Sequence, residues 1–238
     1  MGDCVAIIPA RGGSKGILGK NLLMVSGKPL VAWSIEHAKS VKRVDRVIVS
    51  TDSEEIARIA REYGAEVPFM RPAELATDDS PEWLSWQHSL KYLENNDGRL
   101  PDLMLSIPTT GPLRSGEDIN KIIDEYQRGN SDIVITVTES HRNPFFNIVR
   151  EGADGYVDLF GSGEEVLSRR QDCPKSYDIT TLAYAARPSF VLNNKSIFEG
   201  RVRQVIVPKE RSIDIDTLLD FEIAEYMFKK NESKIAKK

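Results

Sequence analysis

Short apolar runs alternate along this chain with amphipathic stretches. Val5-Ala6-Ile7-Ile8 suits a strand buried on both faces, and Pro9 ends it because proline has no N–H for a ladder. Pro29 opens a helix to about Ser40, with Leu30, Trp33, Ile35 and Ala38 on a partly apolar face. Arg46–Asp52 reads as a second buried strand ending in polar residues. Ser53 caps a helix over Glu54–Tyr63, Gly64 ends it, and Glu66–Met70 is a short extended piece. This βαβαβ order predicts a parallel sheet with right-handed crossovers, in which ligands bind beyond the carboxyl ends of the strands.

The alternation continues. Ser80 and Pro81 begin a helix to about Asn95, Leu103–Ile107 is a strand, Ser115 begins the helix Gly116–Gln127, and Ile133–Val137 is the next strand. Between about 140 and 187 the pattern changes. Asn143–Asp158 reads as short strands with turns, an excursion from the sheet. Tyr184-Ala185 and Ser189–Leu192 return to extended structure, and Val205–Pro208 is a late strand. Thr217 caps a last helix, Leu218–Lys229, and the polar, basic tail 231–238 is expected to fray. The expectation is one α/β domain over 1–230 with no internal repeat.

Composition narrows the function classes. The chain has 238 residues, an ordinary apolar fraction and a net charge of −4, which argues against bulk electrostatic binding of nucleic acid. Its cations must act locally. Cys4 and Cys173 lie far apart and read as free thiols. There is no N-terminal apolar segment of a secretory signal and no run of eighteen apolar residues, so a cytoplasmic chain without a membrane span is expected.

The candidate chemistry begins directly after the first strand. Arg11-Gly12-Gly13-Ser14-Lys15-Gly16 and Gly19-Lys20-Asn21 place four glycines among three cations. Glycine lets backbone N–H groups approach an anion closely, and the cations supply full charge, so the loop suits a polyphosphate. It is not a P-loop, because five residues separate Gly13 from Gly19-Lys20 and Asn21 follows. No glycine triplet has the dinucleotide spacing either. Arg11, Gly13, Ser14, Lys15, Lys20 and Asn21 are the phosphate and nucleotide candidates. Lys20 can hold phosphoryl oxygens that gain charge in a displacement.

Asp214 and Asp216 alternate with Ile213 and Ile215, so both carboxylates face one way. They suit Mg²⁺ beside substrate phosphates, or they form a solvated face or a cap cluster before Thr217. Arg71 clamps a second phosphate or structures the sheet edge. Ser80 is a cap, a ligand or both. Arg169, Arg170, Gln171 and Tyr177 read an acidic substrate or form a charged dimer surface. His37, His88 and His141 lack ligand spacing, and Trp83 and Trp86 read as helix packing.

Five ordered blocks now carry a resemblance: Ile8–Gly16 with Lys20-Asn21, Val49–Asp52, Arg71–Asp78, Pro108–Arg114 and Ser212–Asp216. Together they resemble the acylneuraminate cytidylyltransferases, the CMP-sialic acid synthetases, over nearly the whole chain. The resemblance implies a Rossmann-like nucleotide-diphospho-sugar transferase fold, a mostly parallel sheet flanked by helices. It implies a homodimer whose excursion reaches the partner, and the reaction of CTP with a nonulosonic acid to give a CMP-sugar and pyrophosphate with Mg²⁺. By the same resemblance Asp214 and Asp216 hold the metal and Lys20 steadies the α-phosphate. Asn21, Arg71 and Ser80 hold the cytidine end, and Arg170 matches a sugar-side arginine; Thr109, Gln171 and Tyr177 join it as candidates for the sugar. The departures lie on the sugar side. Ile107 stands where the family carries glutamine, Phe145-Phe146 near its lysine, and Thr180-Thr181-Leu182-Ala183-Tyr184 at its Asn-Gly-Ala-Ile-Tyr.

Overall fold

Strict alternation makes the first strand a shared wall. Cys4, Ala6 and Ile8 enter one apolar layer and Val5 and Ile7 the other, so neither face meets water. The computed structural model describes residues 3–13, 16–161 and 169–235. In chain order its elements are β1 (Cys4–Pro9), β2 (Met24–Val25), β3 (Lys28–Pro29), α1 (Leu30–Lys39), β4 (Arg46–Ser50), α2 (Glu54–Glu62), α3 (Glu82–Asp97), β5 (Leu103–Ser106) and α4 (Gly116–Gln127). After these come β6 (Ile133–Glu139), β7 (Val149–Glu151), β8 (Val157–Leu159), β9 (Tyr177–Ala186), α5 (Pro188–Asn193), β10 (Val202–Ile206) and α6 (Leu218–Ile235).

A six-stranded sheet runs β10-β6-β9-β5-β1-β4. β1 pairs parallel with β4 and β5, and β10 parallel with β6. β9 is antiparallel to both neighbours, β5 and β6. The sheet is thus mostly parallel, as expected. Pro9 lies opposite Ser50, and Ile7 opposite Ser106, so three parallel strands release their chains at one edge. α1, α2 and α4 cover one face through residues such as Ile35, Ile56 and Ile122. α3 and α5 cover the other through Trp86, Leu90 and Phe190. A third cluster of Val25, Leu30, Ile215 and Ala224 fastens the small β2–β3 hairpin, α1 and α6 together.

The caps of α2 and α4 form where the side chains predict them. The Ser53 hydroxyl accepts from the Ile56 N–H at 3.4 Å. Ser115 and Asp118 make a reciprocal capping box at α4. Asp118 is buried and also accepts two hydrogen bonds from Arg211, at 2.8 and 2.7 Å. The β7–β8 hairpin confirms short strands in the excursion, and it leaves Val149, Val157 and Phe160 exposed.

Four expectations change. Ser189–Leu192 lies in the helix α5, because Pro188 at its start fixes a helical φ. Ser212–Asp216 carries no strand, although Ile213 and Ile215 still pack on one side. The excursion gives way to the sheet at Tyr177, where β9 starts to pair with β6. Residues 231–235, placed in the fraying tail, continue α6 to Ile235. Both cysteines are free, and burial pushes the Cys4 thiol up to about 12. Among the described residues, no helix is long and apolar enough to cross a membrane.

Asp118 generates a prediction on stability. Burial alone would raise its carboxyl, but the hydrogen bonds from Arg211 and Ser115 outweigh burial and hold it below the ordinary carboxylate range. The contribution is therefore present above the unfolded-state pKa and is lost as pH falls through the lower folded value. Asp118→Asn is expected to cost about 3 kcal/mol near neutral pH. Urea unfolding should show the gap to the parent closing in acid below about pH 4, and a gap independent of pH would refute the assignment.

Candidate active site

The loops that leave β1 and β5, with the segment 71–82 that leads into α3, wall a polar cavity of about 350 Å³. The first loop leaves β1 at Pro9. Its Gly12 N–H donates to Asp52 Oδ1 at 2.7 Å, which pins it to the end of β4. Gly19 has φ of 64°, a left-handed conformation that glycine adopts without strain, and it turns the chain into a single 3₁₀ turn over Lys20–Leu22. Gly16 lies so close to the far end of the chain that a Cβ there would stand 2.3 Å from the Asp216 carbonyl oxygen. Only glycine permits that approach.

Close packing of Gly16 on Asp216 brings the first loop to the aspartate pair. Lys20 Nζ is 2.7 Å from Asp216 Oδ1, across 196 residues of chain. Asp214 lies mostly buried beside it. Burial raises the Asp214 carboxyl and the Asp216 charge adds to that, while the Thr110 and Thr181 hydroxyls and Lys20 pull the other way. Asp214 Oδ1 is buried without a hydrogen-bond partner. An unpaired buried carboxylate oxygen beside a second carboxylate is a fit for a hard cation, which takes one or two carboxylates and completes its shell with substrate oxygens and water. Among the described residues no cluster of three or more His, Cys, Asp or Glu side chains suits a metal.

Asn21 joins the loops. Its amide donates to the Arg11 carbonyl at 2.7 Å, and its Oδ1 accepts from the Thr109 hydroxyl. Arg11 pairs with Asp78 at 2.8 Å. Arg71 is buried and donates to Ser50 Oγ at 3.1 Å and to the Ser50 carbonyl at 2.5 Å. It therefore structures the sheet edge, and it lines the cavity as well. Desolvation lowers its pKa, with Glu82 and Asp52 opposing. Ser80 is not the cap of α3, whose N-terminus has no side-chain cap because Pro81 occupies that place. Its hydroxyl is instead buried without a partner and lines the cavity, as a ligand group would.

The predicted residues thus divide. Arg11, Lys20, Asn21, Arg71, Ser80, Thr109 and Asp216 line one cavity, with Asp214 behind it. Gly13 lies on the same loop, with open space around it. Ser14 and Lys15 lie outside the described residues. Arg170, Gln171 and Tyr177 line a second cavity, with Asn143 and Pro174. There Arg170 donates to the carbonyls of Ser140 at 3.2 Å and His141 at 2.6 Å, so it is engaged with the backbone of the excursion.

Sequence reasoning missed Glu82, Thr110, Thr181 and the buried Arg114. Arg114 donates to Ser34 Oγ at 2.7 Å, to the Thr181 carbonyl at 3.4 Å and to the Pro108 carbonyl. Burial drops its pKa to about 9, and Asp214 and Asp118 favour its charged form. Its place in the Pro-Leu-Arg block was the only signal.

Comparison with known proteins fixes the class. A family model described as cytidylyltransferase matches residues 5–235. The chain is 36% identical over 229 residues to a post-translational flagellin modification protein B of Campylobacter coli, covering 96% of both chains. It is 33% identical over 227 residues to a CMP-N,N'-diacetyllegionaminic acid synthase of Campylobacter jejuni, covering 95% of each. Its fold matches that of a CMP:2-keto-3-deoxy-manno-octonic acid synthetase complexed with CTP, with a TM-score of 0.70 at 17% identity, over 96% of this chain and 99% of that one. The chain is a nucleotidyltransferase by family. It belongs to the cytidylyltransferases, within their acylneuraminate-type group.

The bond between Thr109 and Asn21 offers a direct check. Thr109→Val keeps the shape but leaves the buried Asn21 oxygen unpaired, at an expected cost of about 1–3 kcal/mol in urea unfolding. Unchanged stability would mean that the loops are not held through this contact.

Proposed function

We propose that this chain transfers the cytidylyl group of CTP to the anomeric hydroxyl of a nonulosonic acid. The hydroxyl oxygen attacks the α-phosphorus, and a new P–O bond forms as the bond to the bridging oxygen of the β-phosphate breaks. Pyrophosphate leaves, and the proton of the hydroxyl is lost to solvent. The observation that carries the reading is the Lys20–Asp216 contact beside Asp214, at the wall of a cavity that the glycine-rich loop closes.

Each residue takes a role that its chemistry supports. Lys20 is a point charge that can follow the α-phosphate as its oxygens gain charge, the electrostatic stabilisation that dominates such transfers. Asp214 and Asp216 would hold Mg²⁺, which when bound neutralises triphosphate charge. Arg11 adds charge at the loop, and Arg71 and Ser80 offer polar groups for the nucleoside. Thr109 holds Asn21 in place, so its part on the sugar side is through the loop it anchors.

The acid needs a cationic or hydrogen-bonding partner, and Arg170, Gln171 and Tyr177 supply one in the second cavity. A homodimer would bring that cavity to a partner's site. The exposed apolar residues of the excursion, Val149, Tyr156, Val157 and Phe160, support such an interface.

Pyrophosphate release tests the reading, with CTP, Mg²⁺ and a panel that includes neuraminate, legionaminate, pseudaminate and octulosonate acids. Asp216→Asn is expected to abolish turnover with the melting temperature preserved, and full activity in that variant would sink the metal assignment. Lys20→Ala is expected to lower kcat about a hundredfold or more with a smaller change in the KM for CTP. A change in KM alone would reduce Lys20 to a binding residue.

A further inference from the structure

An acidic residue in the first turn of a helix usually complements the dipole and points to solvent. Glu82, the first residue of α3, turns inward. Its Oε1 accepts from Trp86 Nε1 at 2.9 Å and from Ser106 Oγ at 3.2 Å. Both donors belong to the buried interior of the second apolar layer. Its Oε2 has no hydrogen-bond partner among the described residues. Glu82 is deeply surrounded by protein, yet it has an exposed surface because it opens onto the cavity.

Arg71 lines the same cavity and is left in the complementary condition. Nε and Nη2 are engaged by Ser50, and Nη1 has no hydrogen-bond partner among the described residues. The two charges are close enough to act on each other. One part of the cavity wall therefore offers an unengaged donor beside an unengaged acceptor. A carboxylate repels phosphate, so the triphosphate belongs with Lys20 and Arg11 and the nucleoside belongs here. Cytosine presents an exocyclic amine that donates, next to N3 and O2 that accept. Uracil carries an accepting oxygen in place of the amine.

We propose that Glu82 selects cytosine over uracil, with Oε2 accepting from the exocyclic amine while Arg71 Nη1 donates to the ring acceptors. This assignment rests on the CTP reading above. The discrimination belongs to the carboxylate, which burial disfavours and which the hydrogen bonds from Trp86 and Ser106 and the Arg71 charge favour, because a neutral carboxyl group carries a donor as well and can face either base. A buried polar group matched to one base rejects the other strongly, because the mismatch leaves it unpaired or facing a like dipole.

The test is calorimetric binding to the full chain with Mg²⁺, and it needs no sugar acid. The ligands are CTP, UTP, 2′-deoxyCTP and the triphosphate of pyrimidin-2-one riboside, which lacks the amine. The wild type is expected to prefer CTP over UTP and over the amine-free analogue by about tenfold or more. Glu82→Ala is expected to erase most of both preferences. Glu82→Gln, whose amide can face either base, should fall between. A preference for CTP that survives in Glu82→Ala overturns the assignment. So does a variant that loses only its discrimination against 2′-deoxyCTP, which would move Glu82 to the ribose. Should the variants melt, the wild type still decides, since equal affinity for CTP and the amine-free analogue overturns the proposal. A wild type that binds no CTP overturns the cytidylyltransferase reading together with this assignment. Tight CTP binding with an unchanged preference in Glu82→Ala overturns this assignment alone.

Discussion

A guanidinium group shut away from water organises the centre of this molecule. Arg114 is 2% exposed, and nothing about an arginine favours that position unless its donors are met. At Nη1 and Nη2 they are met by the Pro108 carbonyl on its own loop, by Ser34 on α1 and by the Thr181 carbonyl on β9, while Nε stays buried without a partner. Asp214 and Asp118 supply countercharge from two directions. The loop that follows β5 is thereby folded back on itself and presents its other groups outward. Thr109 reaches Asn21, and the Thr110 carbonyl receives the Ile215 N–H at 2.9 Å. The N-terminal loop and the aspartate segment are therefore both seated on a scaffold that one buried cation holds together.

The parts of the fold that were legible from the sequence are those where one rule decides. β1, β4, β5 and β6 are covered on both faces, so they read as unbroken apolar runs. α2 and α4 carry Ser53 and Ser115 at their starts, and those caps are local. β9 was legible only in part. Thr180 and Thr181 look like surface residues, but Thr180 is buried and its hydroxyl donates to Thr136 Oγ1 at 2.8 Å. Thr136 in turn donates to the Ala183 carbonyl at 3.0 Å, where the register between β6 and β9 shifts. A buried hydroxyl pair satisfies itself across strands, and no hydrophobic pattern along one strand reveals it. α5 was missed for the opposite reason. Its apolar run is short enough to pass for a strand, and only the phase of Pro188 decides the matter.

The site divides in the same way. Lys20, Asp214 and Asp216 were legible because phosphate chemistry needs cations on a glycine loop and hard oxygen ligands near them. Their mutual distance was not legible, since it depends on the packing of Gly16 against Asp216 and on the cluster that buries Ile215. Glu82 was hidden by a sufficient local explanation, because glutamate is already welcome in a first turn. Only the direction of its side chain, set by Trp86 and Ser106, gives it another meaning. Of the group Arg169, Arg170, Gln171 and Tyr177, the last three share a cavity apart from Lys20, and Arg169 instead pairs with Asp172 at 2.7 Å.

The Lys20–Asp216 contact spans 196 residues, so the two halves of the site are far apart along the polypeptide. A chain emerging from the ribosome can pair β1 with β4 and β5 once about half of it has been made, because those strands all precede Ser106. The aspartates arrive only after β10, close to the final helix. A partly synthesised chain therefore has a sheet and a glycine-rich loop but no carboxylate for its lysine to meet. On the reading proposed above, chemistry at this site waits until the segment after β10 has been made, and a product terminated before that segment would be inert even where its core is well packed.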